Sequence, residues 1–84
     1  MTKQGTINLL AQASAWCGGH LEDGDGVHNV DVSRCRVTIQ VDARAFDRAA
    51  GGAEIRSEHH RSYVYLSAFD DPVLLTAFVI LREG

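Results

Sequence analysis

The chain has no apolar stretch long enough to form a transmembrane helix. Its longest strongly apolar run, Val73 to Leu81, is interrupted only by Thr76, whereas a spanning helix needs about 20 residues. Met1 to Leu10 holds no basic region followed by an apolar segment, so no secretory signal is expected there. Only two cysteines are present, Cys17 and Cys35, and in a reducing cytoplasm they are expected to stay thiols. A basic surplus is also missing. Eleven acids against eight bases leave a formal charge of −3, which disfavours generic binding to a nucleic-acid backbone. The paired glycines Gly18-Gly19 and Gly51-Gly52 lack the spacing and the Lys-Ser/Thr ending of a phosphate-binding loop. No internal repeat, linker or low-complexity tract interrupts the chain.

What is present fits one compact domain spanning residues 1–84. Hydrophobic residues make up 45% of the 84, too many for a disordered chain. A chain this short buries roughly 60–65% of its unfolded surface, so its stability margin is small. Thr6 can cap a first helix from about Ile7 to Cys17, with Gly18-Gly19 ending it. Residues 18–26 are a loop by composition. From Val27 the pattern alternates, with a phase slip near Ser33-Arg34. That slip predicts one bent strand or two short ones over 28–41. Asp42 opens a short helix, Ala43 to Ala50, with Phe46 as its anchor and Gly51-Gly52 closing it. Strands are expected over 53–58, 61–69 and 74–82, the last two joined by a turn at Asp70-Asp71-Pro72. Asp71-Pro72 is also a helix-start signal, but Val73, Phe78, Val79 and Ile80 favour a strand. The expected fold is α+β: an N-terminal helix packed on a small antiparallel sheet of three to five strands, with a second short helix.

Chemistry-bearing side chains concentrate in two places. Between Trp16 and His28 the chain gathers Cys17, His20, Glu22, Asp23, Asp25 and His28 among four glycines, and Cys35 follows. Cys17, His20, His28 and Cys35 are the ligand types of a structural zinc site. The second pair spans more than about 20 Å if 28–35 is one extended strand, so the set closes only if the chain reverses at Ser33-Arg34. Asp23-Gly24-Asp25-Gly26 resembles the opening of a calcium loop, but Arg34 stands where the closing Glu belongs. The second patch is Glu58-His59-His60-Arg61. A His with a carboxylate can act as an acid/base pair, yet neighbouring strand residues face opposite ways and no nucleophile motif accompanies them.

Charge is unevenly spread. Glu22, Asp23, Asp25 and Asp31 precede every arginine, while Arg34, Arg36, Arg44, Arg48, Arg56 and Arg61 crowd the middle. An acidic loop beside an arginine-bearing surface suits a protein contact with electrostatic register. Tyr63 and Tyr65 share one strand face beside Arg61, and Tyr and Arg are enriched at interface hot spots.

In size, charge and compact α+β pattern the chain resembles the small accessory proteins of phages and mobile elements, anti-CRISPR inhibitors among them. No motif carries the resemblance. It implies a non-catalytic, cofactor-free protein in the cytoplasm of a bacterial host cell. Such a protein acts as a stoichiometric inhibitor of a nucleic-acid-handling, CRISPR-type complex, presenting carboxylates where phosphates would sit and binding no nucleic acid or membrane directly. Glu22, Asp23, Asp25 and Asp31 are then the expected partner contacts, joined by Glu54 and Glu58 if the fold brings them near. The alternatives are a zinc-stabilised domain built on Cys17, His20, His28 and Cys35, and a small enzyme using His59 or His60. A homodimer through the Leu74–Arg82 strand is compatible with each.

Overall fold

The computed structural model describes residues 2–81. The elements run α1 (Lys3–His20), β1 (Val27–Ser33), β2 (Arg36–Val41), α2 (Ala43–Ala50), β3 (Ile55–His59), β4 (Tyr63–Asp70) and β5 (Val73–Ile80). The five strands form one sheet in the order β1-β2-β5-β4-β3. Three neighbouring pairs are antiparallel, but β2 and β5 run parallel. The sheet is therefore mixed, not antiparallel as the alternation alone predicted. The chain leaves the β1–β2 hairpin through α2, builds the β3–β4 hairpin, and returns β5 between β2 and β4.

The phase slip at Ser33-Arg34 is a tight reversal: Ser33 pairs with Arg36 across a two-residue turn. A bulge between Val27 and Asn29 takes up one extra residue near the other end of β1. The 73–80 segment is the central strand of the sheet, as its apolar composition on both faces predicts. Its predicted end, Arg82, lies outside the described residues.

The first helix is longer than its cap and glycine signals predicted. Thr2 caps it, its hydroxyl accepting the Gly5 N–H at 3.0 Å. At the other end the helix runs straight through Gly18-Gly19. A helical glycine costs about 1 kcal/mol relative to alanine, so contacts from elsewhere must hold this last turn. Those contacts are visible. The His20 ring stacks on Trp16 one turn earlier, centroids 4.3 Å apart, and its Nδ1–H donates to the Ala49 carbonyl at 2.9 Å. The Arg48 guanidinium donates to the His20 carbonyl at 3.0 Å, satisfying one of the carbonyls a helix end leaves unpaired. Gly51 ends α2 as expected, in the left-handed region at φ 61°. A side chain there would also collide with the His20 ring.

Both helices lie on one side of the sheet, α2 over β5 and α1 over β2. Phe46 fills the centre of this layer with no exposed surface, against Val37, Ile39, Val73, Leu75 and Ala77 from the strands. Small residues, Ala13 on α1 and Ala45, Ala49 and Ala50 on α2, let the helices approach closely. The two helices do not reach the β1 edge. Val30 and Val32 stay exposed there, although their pairing with Ile39 and Val37 sets them on the helix side.

Candidate interaction surface

The expected contact carboxylates fall in three separate places. Glu22, Asp23 and Asp25 lie in the α1–β1 loop, Asp31 on β1, and Glu54 and Glu58 beside and on β3. β1 and β3 are opposite edges of the sheet, about 19 Å apart at the usual strand spacing, so the six acids form no single surface.

Asp25 does structural work instead. It is only 8% exposed, forms an ion pair with Arg48, and accepts the Glu22 N–H at 2.7 Å. The Arg48 hydrogen bond, and after it the Glu22 N–H, hold its carboxyl below the usual carboxylate range. The Arg48 guanidinium is in turn pushed up, chiefly by its hydrogen bond to Asp25. Glu22 lies 3.7 Å from Arg48. This cluster pins the glycine-rich loop to α2, while Asp23 stays exposed. The sequence offers Asp25 as a partner contact; the alternation of Asp and Gly gives no sign of its arginine, which is 23 residues away.

The four proposed zinc ligands are not gathered. Cys17 is half-buried on α1 and Cys35 is exposed in the β1–β2 turn; both are free. Burial pushes the Cys17 thiol up. His20 is committed to Ala49, and His28 Nε2 donates to Asp42 Oδ1 at 2.6 Å. Among the described residues no cluster of three or more His, Cys, Asp or Glu side chains is placed to hold a metal ion. His60 does pair with a carboxylate, its Nε2 3.0 Å from Glu58 Oε1, but its ring stacks on Tyr63 at the sheet surface. Two surface depressions, one on the sheet and one beside the start of α2, are lined by neither His59 nor His60.

The feature that stands out lies opposite the helices. Pairing in β4 and β5 places Tyr63 beside Ile80, Tyr65 beside Phe78, Ser67 beside Thr76 and Phe69 beside Leu74, all on the side no helix covers. Phe78 sits between two tyrosines, with ring centroids 5.4 Å from Tyr63 and 5.1 Å from Tyr65. These are the edge-on and tilted arrangements that aromatic quadrupoles favour. Ile80 is 70% exposed and Phe69 52%. By the same alternation β2 contributes Arg36, Thr38 and Gln40 to this face, and β3 contributes Arg56 and Glu58. An aromatic centre on β4 and β5 is thus flanked by polar and charged side chains of both signs. The sequence singles out the tyrosines; Phe69 shares their parity two alternations further along β4 and was legible but overlooked, whereas Phe78 lies across the turn on β5 and joins them only through the register.

No protein-family model matches the chain, and neither a curated protein nor a solved structure does. None of the described helices is long and apolar enough to cross a membrane.

Proposed function

We infer that this protein is a non-catalytic binding module that contacts a protein partner through the open face of its sheet. The observation that carries the reading is the row of aromatic and aliphatic side chains, Tyr63, Tyr65, Phe69, Phe78 and Ile80, left uncovered opposite the helices. Large contiguous apolar patches with polar surroundings mark interaction sites, and aromatic residues are enriched at the centres of interfaces. A nucleic-acid partner fits less well, because Asp31, Glu54 and Glu58 accompany the two arginines on or beside this face and the net charge is −3. The inhibitor of a CRISPR-type complex expected from the sequence belongs to this binding class. Its contact surface is then the aromatic face, since Asp25 is committed to Arg48 and the remaining acids are scattered.

The test is capture of partners from bacterial lysate by the tagged protein and by its Phe78→Lys variant, with circular dichroism to verify folding. A stoichiometric partner held by the wild type and lost by the variant supports the reading. A partner retained equally by both overturns it.

A further inference from the structure

At one end of the open face, where β2 and β5 begin and β4 ends, lies a trough of about 430 Å³. That volume is within the range of ligand-binding clefts. Its lining is Arg36 from β2, Glu54 and Arg56 from β3 and the residue before it, Ser67 and Phe69 from β4, and Leu74 from β5. Phe69 and Leu74 are direct cross-strand partners and form an apolar floor. Arg36 and Arg56 stand on either side of it. Among the described residues neither guanidinium has a hydrogen bond or an ion pair, although Arg48 on the helix side is fully engaged. Two arginine side chains with no partner among the described residues thus border an apolar floor.

We propose that this trough binds a short extended segment of the partner protein that carries two carboxylates flanking one apolar side chain. The inference rests on the reading of the open face as the docking surface. The spacing follows from strand geometry. β2 and β3 are three strand intervals apart, about 14 Å, and the register sets Arg56 level with Gln40, four residues beyond Arg36, so the two backbones lie on a diagonal about 19 Å long. Both long side chains line the trough between them and close the remaining distance to the roughly 13 Å that four residues of extended chain span. In an extended segment, residues i, i+2 and i+4 point to one side. An acid at i, an apolar residue at i+2 and an acid at i+4 therefore face the sheet together. The acids meet Arg36 and Arg56, and the apolar side chain meets Phe69 and Leu74. Guanidinium groups bind carboxylates through paired, charge-assisted hydrogen bonds. Glu54, inside the trough, opposes a ligand with denser negative charge, such as a nucleic-acid strand.

The experiment titrates isotope-labelled protein with the blocked peptide acetyl-Asp-Ala-Leu-Ala-Asp-amide and follows backbone amide shifts. Saturable shifts at Arg36, Arg56, Phe69 and Leu74 are expected. Affinity should fall about tenfold or more in the Arg36→Gln/Arg56→Gln double variant, the equivalent of roughly one charge-assisted hydrogen bond. Both arginines are exposed, so the variant should fold normally, which its spectrum reports directly. No shifts at millimolar peptide, or equal shifts with the Asn-for-Asp peptide, overturn the proposal. So does tighter binding of a single-stranded oligonucleotide at the same residues. If the peptide fails while Phe78→Lys still abolishes partner capture, only this inference falls; if capture is also indifferent to Phe78→Lys, both fall.

Discussion

The two faces of the sheet are made by the same strands, one residue out of phase, yet they are built from different materials. The helix-covered face is packed with Val37, Ile39, Val73, Leu75 and Ala77, closed by Phe46. The open face carries Tyr63, Tyr65, Phe69 and Phe78, four of the six aromatic residues in the chain. A small domain under pressure to bury area would be expected to put its largest side chains inside. Here most of them are outside. The fold is held by small aliphatic groups packed closely around Phe46, and most of the aromatic side chains stand on the uncovered face.

The comparison can be broken most forcefully at Phe46. Replacing it with alanine should cost about 3–5 kcal/mol, enough to unfold much of a domain this size at room temperature, as read by urea denaturation. Next in effect is the Arg48 cluster. The depressed carboxyl of Asp25 contributes stability that is fully present above the unfolded carboxyl value near ~3.9. That contribution is lost as pH falls through the lower, folded value. Denaturation midpoints measured from neutral pH downward should show this acid-side loss, and Asp25→Asn should flatten it. A flat wild-type profile would show that the pair does not pin the loop.

Gly18 and Gly19 sharpen the contrast from the other direction. Both are helical, and nothing lies within 4 Å of an added Cβ at either. Alanine at each should therefore raise stability by about 0.5–1 kcal/mol. On the open face the stability effect should stay well below that of Phe46. Phe78→Ala should lose about 0.4–2 kcal/mol, the scale of two cross-strand aromatic pairs, while partner capture is lost. If Phe78→Ala cost as much as Phe46→Ala, the two faces would be equally structural and the distinction would fail.

Much of the fold was legible because alternation and punctuation are local. The Ala43–Ala50 helix with its Gly51 stop, the β4–β5 hairpin around Asp71-Pro72 and the reversal at Ser33-Arg34 all follow from residues within a few positions of one another. The start of α1 was a local miss, with Thr2 capping the helix in place of Thr6; the other two failures depend on distant groups. Gly18-Gly19 were expected to end α1, but His20 and Arg48 hold the helix beyond them through contacts 28 and 29 residues apart in sequence. The parallel pairing of β2 and β5 was equally hidden. Periodicity gives the faces of a strand and is silent on its neighbours. The same limit applied to the candidate site: Tyr63, Tyr65 and Phe69 share one parity along a single strand, but their union with Phe78 needed the register of β4 against β5. β5 is hydrogen-bonded on both sides, so it offers no free edge through which a second copy could extend the sheet.

That central position of β5 has a consequence for how the molecule comes into being. Among the described residues β5 is the last of the seven elements, and it is the strand around which the other four are arranged. Until it has been synthesised, the β1–β2 and β3–β4 hairpins have no common neighbour, and Phe46 lacks the strand beneath its helix. The two halves must wait, apolar surfaces uncovered, for a non-local pairing that is entropically slow to close. Folding of this domain is thus held back until β5 joins the two hairpins, and the interval before it is when the chain is most exposed to aggregation.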